Sequence, residues 1–434
     1  MTFSRSTAAV VSDPRVCTAC PLLCDDVVVT ATGVTQACDA GVAAFEASDM
    51  EAGTTSLVDG AAMLREAAID RAAAMITTAR QVLVTGLADA SLEAITTACD
   101  LAEAVGAAID AGGSEMSQAS GPTIARAGEV TAEWEELRDR ADLVIFWFCD
   151  PAATHPRFIE RFVAPPTAAA IPRHTIAIGT EPVLPASPTH RHVALPIAAA
   201  VDAARLIEAL TTGSGGGPLC TCDEAVVSGA KAVAAAIVTA GCVAIVTRRG
   251  ADPLGLGSWS TARLVRTIAH TKPAFEIPLA GGIDDGANLA GAAAVSTWRY
   301  GAAGAIAQAA RGGGAFLPAE CDAIRLIDRN EVDCVVAVGR LPPAIETAIA
   351  RRTAALGLVR VAPADPMRTD AARPTIHLGC RSLLASRSGT LLRGDGRRVV
   401  LGPDSAADSD SMTAILAALL AGVQARLAAR GGGT

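Results

Sequence analysis

Cys17, Cys20, Cys24 and Cys38 stand in the frame C-T-A-C-P-L-L-C-D-D … A-C-D-A-G. Short gaps let a tight turn aim successive thiols inward, and the fourth returns after a strand-turn-strand excursion through residues 27–34. Four thiolates on one hairpin suit a tetrahedral zinc or an iron–sulfur cluster. The competing reading is a set of buried or disulfide cysteines. An internal C-x2-C-x3-C and a polar opening segment, with no secretory leader, weigh against it.

A second group is Cys149-Asp150-Pro151 … His155-Pro156-Arg157, expected where a parallel strand ends and a helix begins. Ligands of open α/β sheets gather at that edge. Pro156 leaves helix-start N–H groups free for an anion, and Arg157 adds a fork for carboxylates. Asp150, His155 and Arg157 are therefore candidates for holding an anionic cofactor; the blander reading is that they cap the turn and brace a contact. In Gly281-Gly282-Ile283-Asp284-Asp285-Gly286-Ala287-Asn288 the paired aspartates suit a cation or acid–base work, or simply an exposed acidic turn. Trp298-Arg299-Tyr300 holds the chain's single tyrosine and one of its four tryptophans, which suits ring stacking or interface packing. No H-E-x-x-H, nucleophile elbow or Walker lysine occurs, so no catalytic residue is assigned. His190-Arg191-His192 reads as a solvated strand edge.

The elements that must position these groups follow from pattern. In 434 residues, half apolar but only 3% aromatic, small aliphatic side chains must build the cores of two or three domains. A net charge of −9 with no basic run excludes nucleic acid and anionic membranes as partners. With no long uninterrupted apolar run, a cytoplasmic protein is expected. The other eight cysteines lie mostly in apolar segments and read as small core residues. Apolar runs at 81–87, 142–148, 174–179, 242–247, 334–339 and 358–362 have the length and composition of strands buried on both faces. Alanine-rich amphipathic stretches at 91–105, 156–163, 199–210 and 261–270 alternate with them, which implies doubly wound α/β layers. The Gly/Ser run 211–218 reads as a linker. The expected organisation is a four-Cys metal lobe (1–55), two Rossmann-like domains (56–212 and 218–385), and a C-terminal hairpin and helix (386–434).

Four stretches, in order, resemble the molybdopterin oxidoreductases, and more narrowly the B subunit of formylmethanofuran dehydrogenase. They are the four-Cys frame, residues 142–157, residues 275–288 and the segment Ser388-Gly389-Thr390-Leu391-Leu392-Arg393. The resemblance implies a four-Cys hairpin followed by two Rossmann-like parallel-sheet domains, as in domains I–III of the pterin enzymes. It also implies a tungsten or molybdenum ligand in a motif near Ser-x-Cys-His-Gly-Pro. The matching segment here reads Ser117-Gln118-Ala119-Ser120-Gly121-Pro122, and the methyl group of Ala119 ligates nothing. The chain then resembles the non-redox B subunit of the formyltransferase/hydrolase complex of methylotrophic bacteria. That complex moves a formyl group from tetrahydromethanopterin to a methanofuran-type cofactor and releases formate. A structural role beside hydrolase, formyltransferase and β-rich subunits follows, without a tungsten or molybdenum pterin. Lacking a redox endpoint, the four cysteines suit zinc over a retained four-iron cluster. The alternatives are an active dehydrogenase subunit with an unconventional ligand, and a free-standing zinc-stapled binding protein.

Overall fold

Strands buried on both faces form where uninterrupted Val, Ile and Leu runs leave no polar face for water. The computed structural model describes residues 14–49, 54–111, 128–165, 172–185, 189–214, 222–249, 255–310, 313–317, 320–352, 356–363, 374–402 and 408–431. All six strand-length runs are strands: Val82–Gly86, Leu143–Trp147, His174–Ile178, Val243–Arg248, Cys334–Val338 and Gly357–Pro363.

They sort into two sheets. The five-stranded sheet runs Ala274–Leu279, Val243–Arg248, Leu143–Trp147, His174–Ile178, His190–Val193, all parallel. The seven-stranded sheet runs Ala61–Met63, Ser56–Val58, Thr375–Cys380, Gly357–Pro363, Cys334–Val338, Val82–Gly86, Ala108–Asp110. Its last five strands are parallel, and the first two form an antiparallel hairpin on its edge.

This grouping corrects the expected split into 56–212 and 218–385. Val84 pairs with Val336, so strands from both ends of the chain build one sheet. The five-stranded layer is an insertion between them. Strands pair where buried faces match, and chain proximity does not decide it. The Gly/Ser run lies inside the inserted layer: it follows helix Ala200–Thr211 and precedes helix Glu224–Thr239, which share one core through Ala203, Ile207, Val226 and Val233.

Helices begin and end where side chains satisfy their free backbone groups. Ser91 accepts from the Ala94 N–H at 3.2 Å, and Gly106, at φ +63°, closes helix Leu92–Val105. The helix expected at 156–163 is instead a π-helical turn, Ile159–Val163, preceded by the 3₁₀ turn Pro151–Ala153. Helix Met412–Gly431 buries Met412, Ile415, Leu416, Leu419 and Val423 in the core of the seven-stranded layer. Among the described residues it is the one helix long and apolar enough to cross a membrane by length and composition.

Candidate metal centre

The N-terminal lobe is a small hairpin, Val28–Thr30 against Gly33–Thr35, with the cysteine loop folded ahead of it. Backbone bonds from Arg15 N–H to Val27 O (2.7 Å) and Cys17 N–H to Cys24 O (2.8 Å) close that loop. Within it Leu23 takes a left-handed φ of +44°, and its N–H reaches Cys20 O at 3.2 Å. This turns Cys20 and Cys24 back toward Cys17. Cys38 arrives from the start of helix Asp39–Asp49. Gly41 faces the sulfurs: a Cβ there would stand 3.3 Å from Cys17 Sγ and 3.8 Å from Cys38 Sγ, so a side chain would crowd the site.

All four cysteines line one recess, shared with Leu22, Val27, Ala37, Pro156 and Arg157. They are free thiols. Burial pushes Cys17 and Cys20 up to about 12 and raises Cys24 too, although Arg161 and Arg157 oppose it there. Such thiols stay protonated until a metal displaces the protons. Among the described residues, no three His, Cys, Asp or Glu side chains are drawn close enough to enclose one ion. A zinc tetrahedron with bonds near 2.3 Å needs sulfurs about 3.8 Å apart, so zinc loading requires the cysteine side chains to swing inward. A four-iron cluster takes one thiolate per iron and accepts a wider spread. The donor set fits both groups.

Two arginines brace the recess. Arg157 is forked onto Asp26 at 2.8 and 2.7 Å, onto Glu160 at 3.1 and 2.7 Å, and donates to Gln36 O. Arg161 holds Asp26 at 3.0 Å and also pairs with Asp25. The cysteine hairpin is thereby clamped to the π-helical turn.

The other expected site residues are engaged within the fold. Asp150 caps the 3₁₀ turn, accepting from Ala152 N–H at 3.0 Å. His155 is fully buried, 2.9 Å from Thr154 Oγ1 through Nδ1 and edge-on to Trp134 at 5.8 Å; its Nε2 has no protein partner. Burial, aided by Arg248, pushes its pKa down to about 4. Of Asp150, His155 and Arg157, only Arg157 lines the thiol recess. Asp284 is exposed, as the acidic-turn reading expects. The expected Trp298-Arg299-Tyr300 patch is not one surface. Trp298 is 68% exposed, but Arg299 pairs with Asp100 and Glu103, and Tyr300 is buried with its hydroxyl on Glu103. Adjacent helix positions point about 100° apart, so three in a row do not share a face. The Ala119 segment lies outside the described residues.

Sequence reasoning missed two anchors. Asn288, fully buried, donates to Ala90 O at 2.6 Å and accepts from Leu392 N–H at 2.8 Å. Arg393 is held by Glu135 and Asp395 and lies over the rings of Trp134 and Phe162. Beside it, Gly394 N–H bonds Pro21 O at 2.9 Å, so the C-terminal hairpin grips the cysteine loop. The stretches 275–288 and 388–393, singled out by resemblance, were the available signal.

No family model matches the chain. Over 162 residues it is 30% identical to the B subunit of the tungsten-containing formylmethanofuran dehydrogenase 2 of Methanocaldococcus jannaschii. Over that stretch the chain is similar to the B subunit of a formylmethanofuran dehydrogenase. The match covers 34% of this chain and 37% of the archaeal protein, so the chain spans well under half of the relative's length. In three dimensions it is similar to a chain in the X-ray crystal structure of the formyltransferase/hydrolase complex from Methylorubrum extorquens in complex with methylofuran. The TM-score is 0.67 at 19% identity, over 87% of this chain and 99% of that one. At that identity the likeness carries the fold, in agreement with the parallel-sheet, Rossmann-like layers found here.

Proposed function

We propose that the chain is a non-redox, structural subunit of a formyltransferase/hydrolase complex of one-carbon metabolism. In this reading the assembly converts formyl-tetrahydromethanopterin to formate through a formylated methanofuran-type cofactor. The chain scaffolds hydrolase, formyltransferase and β-rich partners in the cytoplasm. The observation that carries it is Ala119, which stands where a dehydrogenase of this kind needs a donor atom for tungsten or molybdenum. The sequence relative and the fold neighbour support membership in such an assembly.

Cys17, Cys20, Cys24 and Cys38 would hold a structural metal, zinc by preference, since zinc needs no redox partner. Bound there it supplies no chemistry beyond cross-linking the lobe. The chain's own residues do the rest: Arg157 and Arg161 clamp the hairpin, and Arg393 and Gly394 hold its loop from the far side. Anaerobic purification of the tagged chain from its native host, with elemental analysis, tests the proposal. Partner subunits and no stoichiometric tungsten or molybdenum are expected. Stoichiometric occupancy by either metal selects the active-dehydrogenase reading, and elution as a lone chain selects the free-standing one.

A further inference from the structure

The outer edge of strand Ala274–Leu279, at one end of the five-stranded sheet, is covered by residues 128–132. Val130 packs there against the apolar cores of both sheet faces, and polar contacts tie the segment down. The Glu276 N–H donates to Val130 O at 2.7 Å, and Thr131 bridges to Glu276 in parallel. The Glu129 carboxylate pairs with Arg249, whose N–H extends the ladder to Leu279 O at 2.7 Å. The side chain of Glu276 lies on the same strand face as Ala274, among Val243, Ile245, Leu264 and Val265. Its Oε1 accepts from Thr247 Oγ1 at 2.7 Å, and its buried Oε2 has no partner among the described residues. The helices packed over this face, Ala200–Thr211, Glu224–Thr239 and Leu256–Ala269, bury only uncharged side chains. Arg249 and Glu129 are therefore the charges that act on Glu276. An uncharged carboxyl is tolerated in such a place at modest cost, whereas a carboxylate needs a cation or water. The cation at hand is already held by Glu129.

We propose that Glu276 is a proton-operated latch for the sheet edge: with the acid protonated, residues 128–132 stay docked on strand Ala274–Leu279, and loss of its proton to water undocks them. Ionised Glu276 draws Arg249 away from Glu129 or admits water beside Oε2, and either event loosens the segment. The segment leads straight into helix Trp134–Arg140, so the latch governs the approach to the aromatic cluster around Trp134. The inference goes beyond the scaffolding role and does not depend on the metal reading. Its pH window follows from the two states. Burial holds the docked acid up at about 7, against 4.5 for an exposed one. Undocking therefore becomes easier from pH 4.5 up to about 7 and levels off above, where both states are ionised.

Hydrogen–deuterium exchange of the full chain, read by mass spectrometry and corrected for the intrinsic pH dependence of exchange, tests this. Protection of the peptides spanning 128–135 and 274–279 should fall about tenfold per pH unit between pH 5 and 7 and level off by pH 8. It should stay at least about 100-fold below that of strand Cys334–Val338 in the other sheet, because the edge opens without the core. Glu276→Gln, neutral at every pH, should show no such fall. Glu129→Gln, which frees Arg249 for the ionised Glu276, should lower protection already at pH 5 and shrink the fall. A wild type whose protection does not change with pH, or the same fall in Glu276→Gln, would overturn the proposal. So would equal protection of the segment and of strand Cys334–Val338, since the opening would then be global unfolding. Circular dichroism checks that each variant is folded, and the wild type with Glu129→Gln decides the question if Glu276→Gln is not.

Discussion

The Arg393 guanidinium lies 5.0 Å from the centre of the Trp134 ring, and Asp395, held by the same arginine, accepts from the Trp134 backbone N–H at 2.8 Å. One residue of the C-terminal hairpin thus fixes an aromatic cluster, Trp134 with Phe158 and Phe162, that belongs to the inserted layer. Gly394, next in sequence, holds the cysteine loop at Pro21. Three regions far apart in sequence meet at this point.

Arg393→Ala should therefore destabilise the chain by about 3–5 kcal/mol, because it strands the buried carboxylate of Asp395 and the half-buried one of Glu135. Urea unfolding followed by tryptophan fluorescence measures this. A midpoint equal to that of the wild type would show that the hairpin's grip contributes little.

Stability should also respond to pH through two buried groups. Glu276 is 3% exposed; its Oε1 accepts from Thr247 at 2.7 Å and its Oε2 has no partner in the protein. Burial raises its pKa from 4.5 to about 7, with Arg249 opposing and Glu129 reinforcing the shift. Below pH 4.5 the acid is protonated in both states. Above it the unfolded chain ionises first, so this contribution, about 3 kcal/mol, is lost as pH rises through 7. Glu276→Gln should remove that slope and gain stability at pH 8. His155 acts at the other end. Both states are neutral above pH 6.5, and the unfolded chain takes up its proton first as pH falls toward 4, a loss of similar size. Denaturation midpoints of the wild type, Glu276→Gln and His155→Gln from pH 4 to 8 check both, and parallel pH profiles for all three would refute the assignment.

How much of this was legible in the sequence depends on range. The apolar strands were readable because burial on both faces leaves a local signature, as in Cys334-Val335-Val336-Ala337-Val338. The hairpin around Gly394-Asp395-Gly396 was readable because tight turns carry fixed spacings. Strand partners were not, since Val84 and Val336 look the same to any apolar neighbour. Asn288 and Arg393 were missed as anchors for a related reason. Their partners Ala90 and Glu135 lie 198 and 258 positions away, and no local pattern marks such bonds. Arg157 was legible as a fork for carboxylates, but its carboxylates proved to be the chain's own Asp26 and Glu160.

The surface patch can be tested residue by residue. Trp298→Ala should change stability by less than about 0.5 kcal/mol, since the side chain is exposed, yet weaken co-purification of partners if this face is a contact. Arg299→Ala should instead destabilise the fold by removing the cation from Glu103, whose side chain is only 12% exposed. Pull-down yields alongside melting temperatures separate the two effects; equal losses of stability in both variants would contradict the described geometry.

Losing any one of Cys17, Cys20, Cys24 or Cys38 should release bound metal and unfold the N-terminal lobe, because so small a hairpin has little core of its own. Limited proteolysis around residue 30, with metal content measured on the same samples, reports it. A lobe that stays protease-resistant in Cys24→Ser would mean that packing alone holds it.

The central claim is that this chain serves a formyl-transferring assembly without redox chemistry of its own. Elemental analysis of the natively purified, partner-bound protein tests it most directly. The account predicts a colourless preparation with about one zinc per chain and neither tungsten nor molybdenum. One tungsten or molybdenum per chain would contradict it, whatever fills the four cysteines.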